Sequence, residues 1–159
     1  MESILVRAGM GPSRLHLEVT ESLMLDDAQA ALRRLHSLRE LGVQVALDDF
    51  GTGYSSLSYL RAFPFHTLKI DRSFVRSITE HADARAIVQT IVQMAGVLGM
   101  RTVAEGVETE RELALIRTIR CDEVQGYLVA KPMNLTRLEA WLAAQPAAGA
   151  AAIESRLEA

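Results

Sequence analysis

Val43-Gln44-Val45-Ala46-Leu47-Asp48-Asp49-Phe50-Gly51-Thr52-Gly53 decides the architecture: an apolar run ends in two adjacent carboxylates and opens directly into a glycine-rich loop. The run alternates, so Gln44, Ala46 and Asp48 share one face of a strand while Val43, Val45 and Leu47 take the other. Asp48 therefore points toward the interior of a sheet or barrel. An unpaired carboxylate there costs on the order of several kcal/mol, so a cation or hydrogen-bond donors must compensate it. A divalent metal ion is the simplest compensation. Taken alone, the Asp-Asp-Phe-Gly string is equally a strand end running into a turn, given the turn chemistry of Asp and Gly. The flanking sequence decides between the two.

Further strands are expected at residues 15–20, 67–70, 101–104 and, more weakly, 123–125. Amphipathic helices separate them. Asp26 or Asp27 can cap a helix lined by Ala28, Leu32, Leu35 and Leu38 and ended by Gly42. Ile87, Ile91, Met94 and Leu98 form a stripe before Gly99, and Thr109 with Glu112 makes a capping box. Asn134 can cap a last helix carrying Leu138, Trp141 and Leu142. Alternation of this kind is the signature of βα units around a parallel sheet, either open and doubly wound or a (β/α)8 barrel. The acids favour the barrel, because Glu18, Asp48 and Glu105 sit at or beyond the carboxyl ends of three strands. Glu18 and Lys69 also lie opposite their apolar strand neighbours, on the interior parity.

Composition narrows the function. The 159 residues carry 17 Lys and Arg against 20 Asp and Glu, a net charge of −3 without a basic cluster, which argues against duplex nucleic acid or an anionic membrane as partner. An anionic substrate would need metal ions. Cys121 is the only cysteine, so neither a disulfide framework nor a cysteine-rich zinc site is expected. Neither a membrane span nor a signal-peptide core is present in the sequence, and a cytoplasmic location is the expectation. His16, His36, His66 and His81 have no ligand spacing, and Gly51-Thr52-Gly53 lacks the lysine of a phosphate loop.

Five segments in order, Leu17-Glu18-Val19-Thr20-Glu21-Ser22, Asp48 to Ser56, Leu68-Lys69-Ile70-Asp71-Arg72-Ser73-Phe74-Val75, Ala104-Glu105-Gly106-Val107-Glu108 and Gln125-Gly126-Tyr127, resemble the successive signatures of the EAL-domain family. That family comprises bacterial cyclic-di-GMP phosphodiesterases with a modified TIM barrel. The resemblance implies that Glu18, Asp48 and Asp49 ligate Mg2+ or Mn2+, two ions in the complete domain. It implies that Glu105 is a general base or second-metal residue and that Lys69 orients water and a phosphate oxygen. Gln125 would be a supporting contact, and Glu21 would anchor the loop that runs from Gly51 to Tyr59. Glu108, at a helix start, reads as structural. The implied reaction is hydrolysis of one phosphodiester of cyclic-di-GMP to linear pGpG. The implied assembly is a homodimer formed through that loop and a helix from Ala84 to Leu98.

One departure from the family pattern stands out. The Glu-Ala-Leu segment and a strand with a metal-binding asparagine have no counterpart, so the chain reads as the C-terminal part of an EAL domain over residues 1–144, with about five βα units, roughly the first three strands missing by comparison with a complete barrel and an Ala-rich tail at 145–159. Fewer ligands weaken metal binding. The alternative reading is accordingly a catalytically incompetent module that binds nucleotide or a partner protein.

Overall fold

The computed structural model describes residues 2–22, 27–51 and 57–145. The β-branched and apolar runs become β1 (His16–Thr20), β2 (Gln44–Phe50), β3 (Thr67–Ile70), β4 (Arg101–Glu105) and β5 (Glu123–Gln125). These pair in parallel, each with its sequence neighbour, in the order β1-β2-β3-β4-β5. A doubly wound sheet reverses its strand order at a switch point. This sheet never reverses, and it is the arc of a barrel.

Seven α-helices and a short 3-10 turn at Pro12–Arg14 accompany it among the described residues: α1 (Glu2–Arg7), α2 (Ala28–Glu40), α3 (Leu57–Ala62), α4 (Arg72–Ser77), α5 (Ala82–Val97), α6 (Glu110–Ile119) and α7 (Leu135–Ala144). Their starts follow the expected chemistry. Asp27 accepts a hydrogen bond from the Ala30 N–H, Asn134 from that of Arg137, and Thr109 and Glu112 close a reciprocal capping box. Each cap is worth about 1 kcal/mol. Asp26, most of the loop after Gly51 and the tail beyond Gln145 lie outside the described residues.

The pleat sorts the strands as their alternation requires. Val45 and Leu47 of β2, Leu68 and Ile70 of β3 and Ala104 of β4 join the core under the helices with Val75, Ile78, Val88, Val107 and Ile116. Cys121 is buried at the edge of that core, where its Sγ donates to the Glu123 carbonyl and burial raises the thiol pKa. A protonated thiol is unreactive.

Several boundaries differ from the sequence reading. Leu15 precedes β1, and β2 continues through both aspartates to Phe50. The short helices α3 and α4 were not anticipated, since six residues each are too few to show a helical stripe. The helix expected over residues 84–98 spans Ala82–Val97. Its buried face is Ala84, Val88, Ile91 and Ala95, whereas Ile87 and Leu98 are exposed. On α7 no residue is buried, so Leu138 and Leu142 stay exposed among the described residues. No helix among these residues is long and apolar enough to cross a membrane.

The turn after β5 is held by backbone contact. Val107 N–H donates to the Gln125 carbonyl, and the Leu128 N–H donates to that of Val107. A Cβ on Gly126 would stand 2.1 Å from the Val107 oxygen and 2.4 Å from its nitrogen, so only glycine fits. Gly126→Ala is expected to lower the unfolding free energy by about 3 kcal/mol, the upper range for overpacking, as measured by urea denaturation. An unchanged midpoint would contradict this packing.

Candidate metal centre

Positions in the middle of β1, toward the carboxyl end of β2 and at the carboxyl end of β4 supply carboxylates, and β3 supplies an amine. Lys69 is only 6 % exposed, too buried for an ammonium without partners. Its Nζ lies 2.8 Å from Glu18 Oε1, 2.8 Å from Asp48 Oδ1 and 2.7 Å from Glu105 Oε1. Burial by itself would lower the lysine pKa, but hydrogen bonds to Asp48, Glu105 and Glu18 override it and raise the pKa above its ordinary value. Lys69 is therefore charged at neutral pH.

Register explains why one side chain reaches all three. Glu18 is level with Ala46, one pleat step below Asp48, and Lys69 is level with Val103, one step below Glu105. The long, flexible lysine stem spans those levels from the middle strand.

Asp49 reaches the same place by a break in the pleat. In a regular strand Asp48 and Asp49 would face opposite ways. Here Leu47 pairs with Leu68 and Phe50 with Ile70, so β2 carries one residue more than β3 over this interval. That is a bulge, and Asp49 sits in it at φ 53, a left-handed conformation that Asp tolerates better than most residues. Carboxylate oxygens of Asp48, Asp49 and Glu105 all lie within 4.8 Å of one another. The sequence signal for the bulge was the Asp-Asp pair itself.

The electrostatics of the cluster are unbalanced. One ammonium stands against three carboxylate partners, and Asp49 lies beside them with the Arg72 charge also acting on it. Burial, then the neighbouring Asp48, raises the Asp49 pKa. Burial also raises that of Glu105, against the lowering effect of Lys69. Hard oxygen donors in this excess fit a divalent cation such as Mg2+ or Mn2+. Asp48, Asp49 and Glu105 are the residues close enough to share one. Glu18, half exposed, meets them through Lys69.

Gly106 follows Glu105 at φ +69, and a Cβ there would meet the Arg72 Cβ at 2.6 Å. The turn therefore packs Gly106 directly against the start of α4. Glu21 accepts a hydrogen bond from the Gly51 N–H at 3.1 Å, and its Oε2, also buried, has no hydrogen-bond partner among the described residues. Glu108 pairs with Arg76 at 3.1 Å, and its N–H donates to Glu112. Gln125, on the last strand, is exposed, and the structure does not bring it into the cluster's ion pairs. Glu112, which the sequence offered only as half of a capping box, also receives that Glu108 N–H and so ties the loop after β4 to α6.

With this geometry in hand, comparison with known proteins defines a class. The EAL domain model matches residues 1–132, and the chain belongs to the EAL-domain family. Among its relatives is the cyclic di-GMP phosphodiesterase NbdA of Pseudomonas aeruginosa, 46% identical over 140 residues, which cover 88% of this chain and 18% of that protein. The fold matches the PaMucR phosphodiesterase in complex with c-di-GMP at a TM-score of 0.81 and 44% identity, covering 86% of this chain and 56% of that one. It also matches Klebsiella pneumoniae BlrP1 in a manganese and cyclic-di-GMP complex at a TM-score of 0.75 and 36% identity, covering 79% and 32%. The chain spans about a fifth of the length of the curated relatives it matches. Its sheet is a partial EAL barrel.

Removing the central cation tests the charge balance. Lys69→Ala should cost about 3–5 kcal/mol of stability in metal-free buffer, the range for stranding buried charges. Millimolar Mg2+ should then raise the melting temperature of the variant more than that of the parent. Equal melting temperatures without metal would refute the ion-pair geometry.

Proposed function

We propose that this chain supplies the carboxylates and lysine of a phosphodiesterase that hydrolyses one phosphodiester of cyclic-di-GMP to linear pGpG. The observation that carries this reading is Lys69 in contact with three carboxylates from three different strands, beside the Asp48, Asp49 and Glu105 oxygens. Two relatives' recorded substrate, cyclic di-GMP, is dianionic, and an acidic cluster repels such a ligand unless cations intervene.

Glu18 with Asp48 would hold one Mg2+ or Mn2+ and Asp48 with Asp49 a second, to which Glu105, whose oxygen lies near theirs, would be either a further ligand or the base. A divalent ion there supplies Lewis acidity toward a phosphoryl oxygen and makes water nucleophilic at neutral pH. The protein's own groups do the rest. Glu105, its pKa raised by burial, is suited to take a proton from the attacking water. Lys69 holds the three carboxylates in one geometry, and its charge would help orient water and a phosphate oxygen at the same rim. Glu21, hydrogen-bonded to Gly51, positions the start of the loop that follows β2. Glu108, paired with Arg76, would brace the loop after β4 on α4, and Gln125 on β5 would be a supporting contact. Residues 1–144 form the carboxyl-terminal portion of an EAL domain in this reading. Homodimer contacts would run through the loop after Gly51 and through α5, whose Ile87 and Val97 are exposed.

The test is hydrolysis of cyclic-di-GMP by the intact protein with Mn2+ or Mg2+, following pGpG by chromatography. Glu105→Gln should lower kcat by on the order of a hundredfold or more while binding persists. Tight binding of cyclic-di-GMP with no pGpG formed would replace the enzyme reading with that of a nucleotide-binding module.

A further inference from the structure

The amino ends of the same strands build a second concavity. A groove of about 390 Å³ opens there, lined among others by Arg39, Arg61, Arg101, His66, Phe65 and Met100. It lies at the opposite end of the sheet from the carboxylates: Lys69 is three residues beyond His66, about 10 Å along the strand. We propose that this groove binds a small phosphate monoester with a planar apolar body.

The first argument is charge. Arg39 lies in the last turn of α2, Arg61 in the last turn of α3, and Arg101 opens β4. Three elements thus converge three guanidiniums on one groove in a chain whose net charge is −3. Arg101 spends part of its charge on Glu123 at 3.1 Å. Arg39 and Arg61 form no ion pair among the described residues. Like charges gathered without counterions repel, and an anion in the groove relieves that repulsion. The planar guanidinium fork matches two phosphate oxygens at once.

Histidine chemistry supplies the second argument. The His66 main chain is fixed on both sides, its N–H donating to the Val45 carbonyl at 2.8 Å and its carbonyl accepting from the Arg101 N–H at 2.9 Å. Its Nδ1 accepts from the Val45 N–H at 3.1 Å, which leaves the ring proton on Nε2. The imidazole is thus a neutral, pre-oriented donor. Burial, and then the nearby Arg39 charge, lowers its pKa and keeps it so.

The third argument is shape. The Phe63 and Phe65 rings stack at 5.8 Å with 10° between their planes, and Met100 is buried beside them in the groove lining. The small exposed edges of these side chains, with the more exposed Leu98, give the groove an apolar wall beside a cationic rim, which suits a ligand with one charged end and one flat, apolar end. Arginine also stacks on flat groups, which lysine does not do as well.

Calorimetric titration of the intact protein tests this, with EDTA present so that no divalent ion draws phosphate to the acidic cluster. Phenyl phosphate is the probe and inorganic phosphate the comparison. Saturable binding is expected, tighter for phenyl phosphate, and weakened about tenfold by Arg39→Ala or by Arg61→Ala. Both side chains are exposed, so the variants should keep the parent's melting temperature. Arg61→Lys, which retains charge but loses the fork, should fall between. No heat at millimolar phenyl phosphate would overturn the proposal. So would binding that the double arginine variant leaves unchanged.

Discussion

A buried ammonium holds this end of the sheet together. Lys69 has nowhere to shed its charge, and each of its three partners comes from a strand distant in sequence. Glu18 on β1, Asp48 on β2 and Glu105 on β4 would repel one another if brought together without it. The pair geometry is tight enough to reverse the effect of burial on the lysine pKa. Because one positive charge cannot neutralise three carboxylates, the arrangement that stabilises the fold also leaves the surplus negative charge that a divalent ion needs. Structure and chemistry share one electrostatic imbalance.

The parallel sheet makes this economical. All five strands run the same way, so every strand end that points a side chain inward points it at the same rim. The core under the helices is apolar and insensitive to that rim, since the pleat sends Val45, Leu47, Leu68 and Ile70 the other way. Only β2 breaks the rule. Its bulge adds Asp49 to the rim by placing one residue in the left-handed region, a local strain confined to the position where two adjacent acids must face one point.

Much of this was readable from residue order. Strand identity followed from alternation, the caps at Asp27, Thr109 and Asn134 from their side chains, and the family from five ordered motifs. What alternation could not reveal was depth. The stripe Ile87, Ile91, Met94 and Leu98 looked like the buried face of α5, yet two of its four members are exposed, because the face turned to the core is Ala84, Val88, Ile91 and Ala95, half of it alanine and so weak in a pattern of large apolar side chains. The helices α3 and α4 were invisible because one and a half turns carry no period. Within the site, the resemblance implied Glu18 as a metal ligand beside the aspartates. The fold adds that the Glu105 oxygen lies near theirs and that Glu18 meets them through Lys69, a detail that depends on register between strands.

Anomalous diffraction from crystals of the protein grown with Mn2+ tests the electrostatic account most directly. The expected result is a manganese peak about 2 Å from carboxylate oxygens of Asp48, Asp49 and Glu105, with the Lys69 ammonium still beside the cluster. A peak elsewhere on the molecule, or none while Lys69 holds its three carboxylates, would contradict it.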